Sequence, residues 1–125
     1  MEVKRRLVIV VDDDKTNLVM AKNTLSTKYD IFTAPSGEKL FELLEKVCPD
    51  IILLDIKMPE MSGFDVIKIL KSNEKTAGIP VIFLTAKSDS ESQSEGLALG
   101  ALDYINKPFS PAYIYKRIEH LLENN

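Results

Sequence analysis

Short apolar runs alternate with amphipathic stretches along the whole chain. Five runs rich in Val, Ile and Leu cover Leu7–Val11, Ile31–Ala34, Ile51–Leu54, Val81–Leu84 and Leu102–Ile105. These runs are mostly continuous, which is typical of strands that are buried on both faces of a parallel sheet. The pattern therefore predicts five interior strands.

Apolar residues outside these runs recur three or four positions apart, as they do on one face of a helix. The recurring sets are Leu18, Ala21 and Leu25; Leu40, Leu44 and Val47; Phe64, Ile67 and Leu70; and Ile114, Ile118 and Leu121. Ser62 with Asp65, and Ser88 with Glu91, have the spacing of a capping box, and Ser36 is a suitable N-cap. With the stretch after Ser88, these signals predict five helices.

The fourth predicted helix differs from the others. Residues 88–95 contain no apolar side chain and Gly96 follows, so only Leu97, Ala98 and Leu99 remain to anchor it. Because little apolar burial holds its first half, we expect this helix to be short and mobile.

Strands that alternate with helices predict an α/β fold with helices on both faces of the sheet. We expect a doubly wound, five-stranded parallel sheet of flavodoxin-like order 2-1-3-4-5, in one domain over residues 1–125. In this order a ligand crevice lies where the first and third strands end.

The composition of the chain narrows the kinds of partner that it could bind and the places where it could work. The chain has 125 residues, of which 45% are hydrophobic and 28% charged, and its net charge of -3 argues against a nucleic-acid surface. Its early apolar run, Leu7–Val11, is too short to span a membrane. Cys48 is the single cysteine, which excludes an internal disulfide and favours a cytoplasmic location.

Acidic residues follow two strands that should be neighbours. Asp12, Asp13 and Asp14 come directly after the first apolar run, and Asp55 follows the third. Any one of them could simply cap a helix or lie in a loop, Asp14 above all. Together they place several carboxylates in one crevice, where mutual repulsion favours a hard cation such as Mg²⁺.

Two further strand ends carry polar groups. Thr85 directly follows the fourth run and could donate its hydroxyl to a phosphate oxygen. Lys107 follows the fifth and brings a compact positive charge suited to a phosphate or a carboxylate. Either residue alone is weak evidence, but acid, acid, hydroxyl and ammonium at four of the five strand ends form a pattern that chance rarely supplies.

The segments "VDDD", "LLDIKMPEMSG", "TA" and "YINKPF" resemble, in this order and spacing, the bacterial two-component response-regulator receiver domain of the chemotaxis-regulator type. The resemblance implies that Asp55 accepts a phosphoryl group from a histidine kinase or phosphotransfer protein. It also implies Mg²⁺ bound by Asp12, Asp13, Asp55 and the backbone carbonyl of Lys57. Thr85 and Lys107 would contact the phosphate, and the Lys107–Pro108 peptide would be cis.

The resemblance also implies a conformational switch. Thr85 would move toward the phosphate and Tyr104 would turn inward, altering the surface of the fourth helix, fifth strand and fifth helix. That surface would bind a downstream effector or output domain, or a second copy of the chain, with no direct nucleic-acid or membrane contact. The domain would assist its own phosphorylation and dephosphorylation without being a turnover enzyme. Lys57 and Lys87 would border the phosphate, with an effect on its lifetime that stays open.

Three alternatives remain. "DDDKT" matches the D-x-D-x-T motif of haloacid-dehalogenase-like Mg²⁺-dependent phosphatases, with Asp12 as nucleophile and Asp14 as acid/base, although no acidic pair follows Lys107. A degenerate receiver could bind without being phosphorylated, but the acceptor and metal residues are all present. Whether the receiver is free-standing or part of a longer regulator stays open.

Overall fold

The computed structural model describes residues 5–86, 90–107 and 110–123. Strands and helices alternate through these residues. They are β1 (Leu7–Val11), α1 (Lys15–Leu25), β2 (Asp30–Ala34), α2 (Gly37–Leu44), β3 (Ile51–Asp55), α3 (Gly63–Ser72), β4 (Val81–Ala86), α4 (Ser90–Ala98), β5 (Asp103–Lys107) and α5 (Pro111–Glu123).

The strands form one parallel sheet in the order β2-β1-β3-β4-β5. This confirms the predicted flavodoxin-like topology. The order reverses between β1 and β3, so the chain leaves these two neighbouring strands in opposite lateral directions and a crevice opens at their carboxyl ends.

Two hydrophobic cores, one on each face of the sheet, explain why the strands are continuously apolar. Successive side chains of a strand point to opposite faces. In β3, Leu53 packs with α1 and α5, whereas Ile52 and Leu54 pack with α2 and α3. Because both faces are covered, every residue of β3 is buried.

Side-chain caps begin four of the described helices, and at α5 it is Ser110 Oγ that accepts the Tyr113 amide at 3.1 Å. Asp14 accepts the Thr16 amide at 2.8 Å at the start of α1, and Ser36 caps α2. The predicted capping box of Ser62 and Asp65 begins α3. Ser88, the predicted cap of the fourth helix, lies outside the described residues.

Strand boundaries depart from the apolar runs at the carboxyl ends. β3 includes Asp55 and β4 extends to Ala86, while β5 covers Asp103–Lys107 rather than Leu102–Ile105. The reason is that ladder pairing continues into polar residues, with Thr85 opposite Asn106 and Ala86 opposite Lys107. The polar residues therefore belong to the sheet itself.

The anchor of α4 is only in part the one predicted. Leu97 is 44% exposed and Ala98 is also exposed, whereas Leu99 packs on the core and Gly96 is buried. A Cβ at position 96 would lie 2.6 Å from the Phe83 ring. Only glycine lets the helix backbone lie this close to β4, so this contact without a side chain adds to that of Leu99 and stands in for the expected contact of Leu97.

None of the helices among the described residues is long and apolar enough to cross a membrane.

Candidate functional site

Four strand ends meet at the carboxyl edge of the sheet. Asp12 directly follows β1, Asp55 ends β3, Thr85 lies next to the end of β4, and Lys107 ends β5. The parallel register aligns these positions, and together they line a cavity of about 320 Å³. The sequence-predicted residues are therefore brought together.

Lys107 joins the first and third strands across this cavity. Its Nζ donates to Asp12 Oδ2 at 2.8 Å and to Asp55 Oδ1 at 3.1 Å. Asp12 is 1% exposed and Asp55 6%, so water screens these contacts weakly. The ammonium group is thus held between two buried carboxylates.

Asp13 completes a group of acids that we call the carboxylate cluster, defined as Asp12, Asp13 and Asp55. One oxygen from each lies within 4.8 Å of the others. When all are ionised, three carboxylates against the single ammonium of Lys107 leave two negative charges in excess. Hard oxygen donors with excess negative charge are the ligand set that Mg²⁺ favours, so the residues fit this ion.

The excess charge perturbs the ionisation of Asp55. Burial raises the pKa of its carboxyl group and the negative charge of Asp12 raises it further, while Lys107 opposes both, giving a pKa of about 6. For Lys107, burial alone would lower the pKa. The hydrogen bond to Asp12 and the charge of Asp55 outweigh burial, so the pKa of Lys107 is raised.

Asp12 is held by backbone and side-chain donors. Its Oδ1 accepts the Asp14 amide at 3.0 Å, and its Oδ2 accepts Asn17 Nδ2 at 3.1 Å in addition to Lys107. Its own amide donates to Ala34 at 3.1 Å, extending the pairing with β2. Asp12 is consequently the most tightly fixed acid of the carboxylate cluster.

Gly63 lets α3 begin directly against the end of β3. Its amide donates to the Ile56 carbonyl at 2.8 Å. A Cβ at this position would lie 2.4 Å from the Asp55 carbonyl oxygen and 2.9 Å from the Ile56 Cα. The absence of a side chain therefore sets the backbone that carries Asp55.

The residues predicted for phosphate contact and switching occupy different environments. Thr85 is buried at the cavity, and Lys57 lines the same cavity with an exposed side chain. Tyr104 is partly buried and packs against the core on the α2 and α3 face of the sheet. Lys87 and Pro108, and with Pro108 the expected cis peptide, lie outside the described residues.

Sequence reasoning missed Asn17 and Gly63. Asn17 lies five positions after Asp12, and nothing in the composition of the loop marks it as a partner of that carboxylate. Gly63 follows the predicted cap Ser62, which was a usable signal of a tight entry into the helix, but its contact with Asp55 depends on tertiary packing.

The comparison of this sequence with known proteins agrees with the geometry of the fold and of the site. The model of the family "Response regulator receiver domain" matches residues 8–119. A Vibrio cholerae protein named "Probable cyclic di-GMP phosphodiesterase" is 43% identical over 117 residues, covering 94% of this chain and 26% of that protein. Histidine kinase P4 of Formosa agariphila is 37% identical over 98% of this chain and 9% of its own length.

Solved structures share the fold. The structure of Vibrio cholerae chemotaxis protein CheY4 superimposes with a TM-score of 0.88 at 30% identity, over 94% of this chain and 98% of that one. The chain spans between about a tenth and about half of the length of the curated relatives it matches first. The phosphatase alternative finds no support, and the Asp14 carboxylate that it requires as acid/base accepts the Thr16 amide as a helix cap.

Proposed function

The chain belongs to the response regulator receiver domain family, and from that premise we propose that Asp55 is the residue that accepts the phosphoryl group. The observation that supports this most directly is the position of Lys107, whose ammonium lies within hydrogen-bond distance of both Asp12 and Asp55. Asp12 shares this cation and also belongs to the carboxylate cluster, but its two oxygens accept further hydrogen bonds from the Asp14 amide and from Asn17. This favours Asp55, at the end of a fully buried strand, as the acceptor.

The proposed reaction is a transfer of a phosphoryl group between donor and carboxylate. An oxygen of Asp55 attacks phosphorus, the bond from phosphorus to the donor breaks, and the donor leaves with the electron pair, giving an acyl phosphate. With a pKa of about 6, Asp55 is mostly ionised above neutral pH and can act as the nucleophile. Water attacking the same phosphorus later releases inorganic phosphate and restores the carboxylate.

Charge around the phosphoryl group decides the rate of such a transfer. Mg²⁺, held by Asp12, Asp13, Asp55 and the backbone carbonyl of Lys57, would supply the neutralisation of the phosphoryl oxygens that the chain alone lacks. Lys107 is already placed to turn its ammonium toward a phosphoryl group on Asp55. Thr85 would donate its hydroxyl from the end of β4.

The donor on this proposal is the phosphohistidine of a histidine kinase or phosphotransfer protein, or acetyl phosphate in its place. The domain, residues 1–125, would work in the cytoplasm and assist its own modification without turning over an external substrate. Its downstream partner would be an effector protein or an output domain.

Labelling tests the acceptor. Treatment with acetyl phosphate and Mg²⁺ should add one phosphoryl group to the wild type and none to Asp55→Asn, which keeps the size of the side chain. Asp30→Asn, at the other end of the sheet, should be labelled like the wild type. Peptide mapping that finds the label on Asp12, or labelling of Asp55→Asn, would refute the assignment.

The proposed switch involves Thr85, Tyr104 and the surface of α4, β5 and α5. Gln93 of α4 donates to Asn106 of β5 at 2.7 Å, one residue before Lys107. Apolar side chains are exposed nearby, with Leu97, Leu102 and Tyr113 at 44%, 48% and 47%. A surface with exposed apolar groups, close in sequence to Lys107, suits a partner or a second copy of the chain.

Amide shifts test the switch. Beryllofluoride with Mg²⁺, an analogue of the acyl phosphate, should shift the NMR signals of α4 and of the residues around Tyr104. Shifts confined to the residues lining the cavity would show that the α4, β5 and α5 surface does not respond.

A further inference from the structure

Asn17 contacts the site without any role in the function proposed above. It lies in the first turn of α1 and is half-buried. Its Nδ2 donates to Asp12 Oδ2 at 3.1 Å. Asn17 also lines the cavity, so its amide reaches Asp12 of the carboxylate cluster at the edge of the proposed metal site.

The oxygen that Asn17 binds is the one that Lys107 also binds. Lys107 Nζ lies 2.8 Å from Asp12 Oδ2, while Oδ1 is satisfied by the Asp14 amide. Asp12 is 1% exposed, so water cannot readily replace a lost donor. The orientation of Asp12 therefore depends on both side-chain donors.

Lys107 cannot serve every partner at once. It is shared between Asp12 and Asp55, and in the proposed function its ammonium turns to the phosphoryl group on Asp55. Asp12 Oδ2 then loses its cationic partner at the moment when Asp12 has to hold the metal. The Asn17 amide is the side-chain donor that stays, because it comes from a helix and carries no charge that would draw it to the phosphate.

We propose that Asn17 is a positioning residue, which keeps the Asp12 carboxylate oriented toward Mg²⁺ when Lys107 turns to the phosphoryl group. The inference rests on the proposed function and assigns this hydrogen bond to it. A neutral amide suits the task, since it fixes a ligand carboxylate without competing with a divalent cation by charge, as partners behind metal ligands commonly do.

Calorimetric titration with Mg²⁺ tests this, with and without beryllofluoride. Asn17→Leu removes the donor at similar size, and Asn23→Leu makes the same change on the exposed face of the same helix. With beryllofluoride, Asn17→Leu should bind Mg²⁺ about tenfold more weakly than the wild type. With Mg²⁺ alone the loss should be smaller, because Lys107 still holds Asp12. Asn23→Leu should match the wild type in both titrations.

Each other outcome has a defined meaning. An equal loss with and without beryllofluoride would overturn the hand-over from Lys107, and Mg²⁺ affinities equal to those of Asn23→Leu would overturn any positioning role. A metal-free melting temperature lowered in Asn17→Leu, with unchanged Mg²⁺ affinity, would assign Asn17 to stability alone. Asn17→Ala repeats the test if the leucine variant does not fold. A wild type that binds no Mg²⁺ would instead refute the proposed function.

Discussion

Acidic residues at the two ends of the sheet differ in burial and in how their charge is balanced. At the amino end, Asp30 pairs with Arg5 at 3.1 Å and Asp50 pairs with Arg6 at 3.3 Å, and these side chains are largely exposed. At the carboxyl end, the three acids of the carboxylate cluster share Lys107, and two of them are buried. Charge is balanced pair by pair at one end and left in excess at the other.

The larger of the two cavities is not the one at the carboxylate cluster. The cavity at the amino end measures about 1110 Å³ and the cavity at the carboxylate cluster about 320 Å³. The larger cavity is lined by Tyr29, a neutral side chain whose pKa burial raises. The smaller cavity is lined by Asp55, whose carboxyl pKa is raised, and by the lysine that two buried acids share. Unmatched charge under burial, rather than space, therefore identifies the functional end of this sheet.

The largest effect should come from removing the charge of Asp55 in the metal-free protein. Because the fold raises the pKa of Asp55 from 3.8 to about 6, the folded protein holds this proton more tightly than the unfolded chain. The free energy of unfolding should fall as pH rises from about 4 to about 6, by about 3 kcal/mol at most. Asp55→Asn should lack this decrease.

Urea denaturation across this pH range, without divalent cations, measures the difference in free energy of unfolding between the wild type and Asp55→Asn. Subtracting the two curves cancels the titration of the acids that lie away from Asp55. At pH 7 the variant should be the more stable protein. A difference that stays constant with pH, or one that favours the wild type at pH 7, would contradict an excess of negative charge at this end.

Asp13→Ala should weaken Mg²⁺ binding next most strongly. Asp13 is exposed, so its loss should cost little folding stability while removing a ligand of the carboxylate cluster. We expect affinity to fall about a hundredfold, or about 2.7 kcal/mol. Calorimetry measures this, with Asp30→Ala as the control at the amino end. Equal affinities for the two variants would remove Asp13 from the metal site.

Gly63→Ala should destabilise the functional end through the backbone. Its Cβ would lie 2.4 Å from the Asp55 carbonyl oxygen, so α3 or the end of β3 must move, at a cost of about 2 kcal/mol. Gly78→Ala is the matched control, since its Cβ would meet nothing within 4 Å. Thermal denaturation compares the two, and a Gly63→Ala variant as stable as Gly78→Ala would show that the contact relaxes freely.

Arg6→Ala should have the smallest effect. Arg6 and Asp50 are 54% and 35% exposed, and Asp50 still accepts the Leu7 amide at 2.8 Å without the arginine. The loss of stability should be below about 1 kcal/mol and should shrink in high salt. Denaturation at two salt concentrations measures it, and Mg²⁺ affinity should not change. A loss well above this, insensitive to salt, would mean that the amino end also depends on its charges.

Most of the fold could be predicted because both faces of the sheet leave a trace in the sequence. Continuous apolar runs such as Ile51–Leu54 are what two buried faces require, and the helix faces show in residues such as Leu18 and Leu25. The ends of the strands were predicted less accurately, because the pairing continues into Thr85 and Lys107, which carry no apolar signal.

The residues of the site also fall into two groups, those that the sequence predicts and those that it does not. The acids, Thr85 and Lys107 could be predicted because they stand at strand ends, where topology brings them together. Asn17, Gly63 and the Gly96 contact with Phe83 could not, because they depend on how closely a helix approaches a strand or a side chain. The sequence likewise does not show that Asp50 has Arg6 as its own ion-pair partner, whereas Asp55 shares Lys107 with another acid.

The lysine that bridges Asp12 and Asp55 also fixes when the site can exist during folding. Lys107 is 95 residues from Asp12 in the chain, and two strands lie between β1 and β5 in the sheet. Closing so long a loop is slow compared with local contacts, and the bridge forms only after the last strand has docked. A partly folded or unfinished chain therefore carries these acids without their counterion, and the complete charge arrangement of the site arrives together with completion of the sheet.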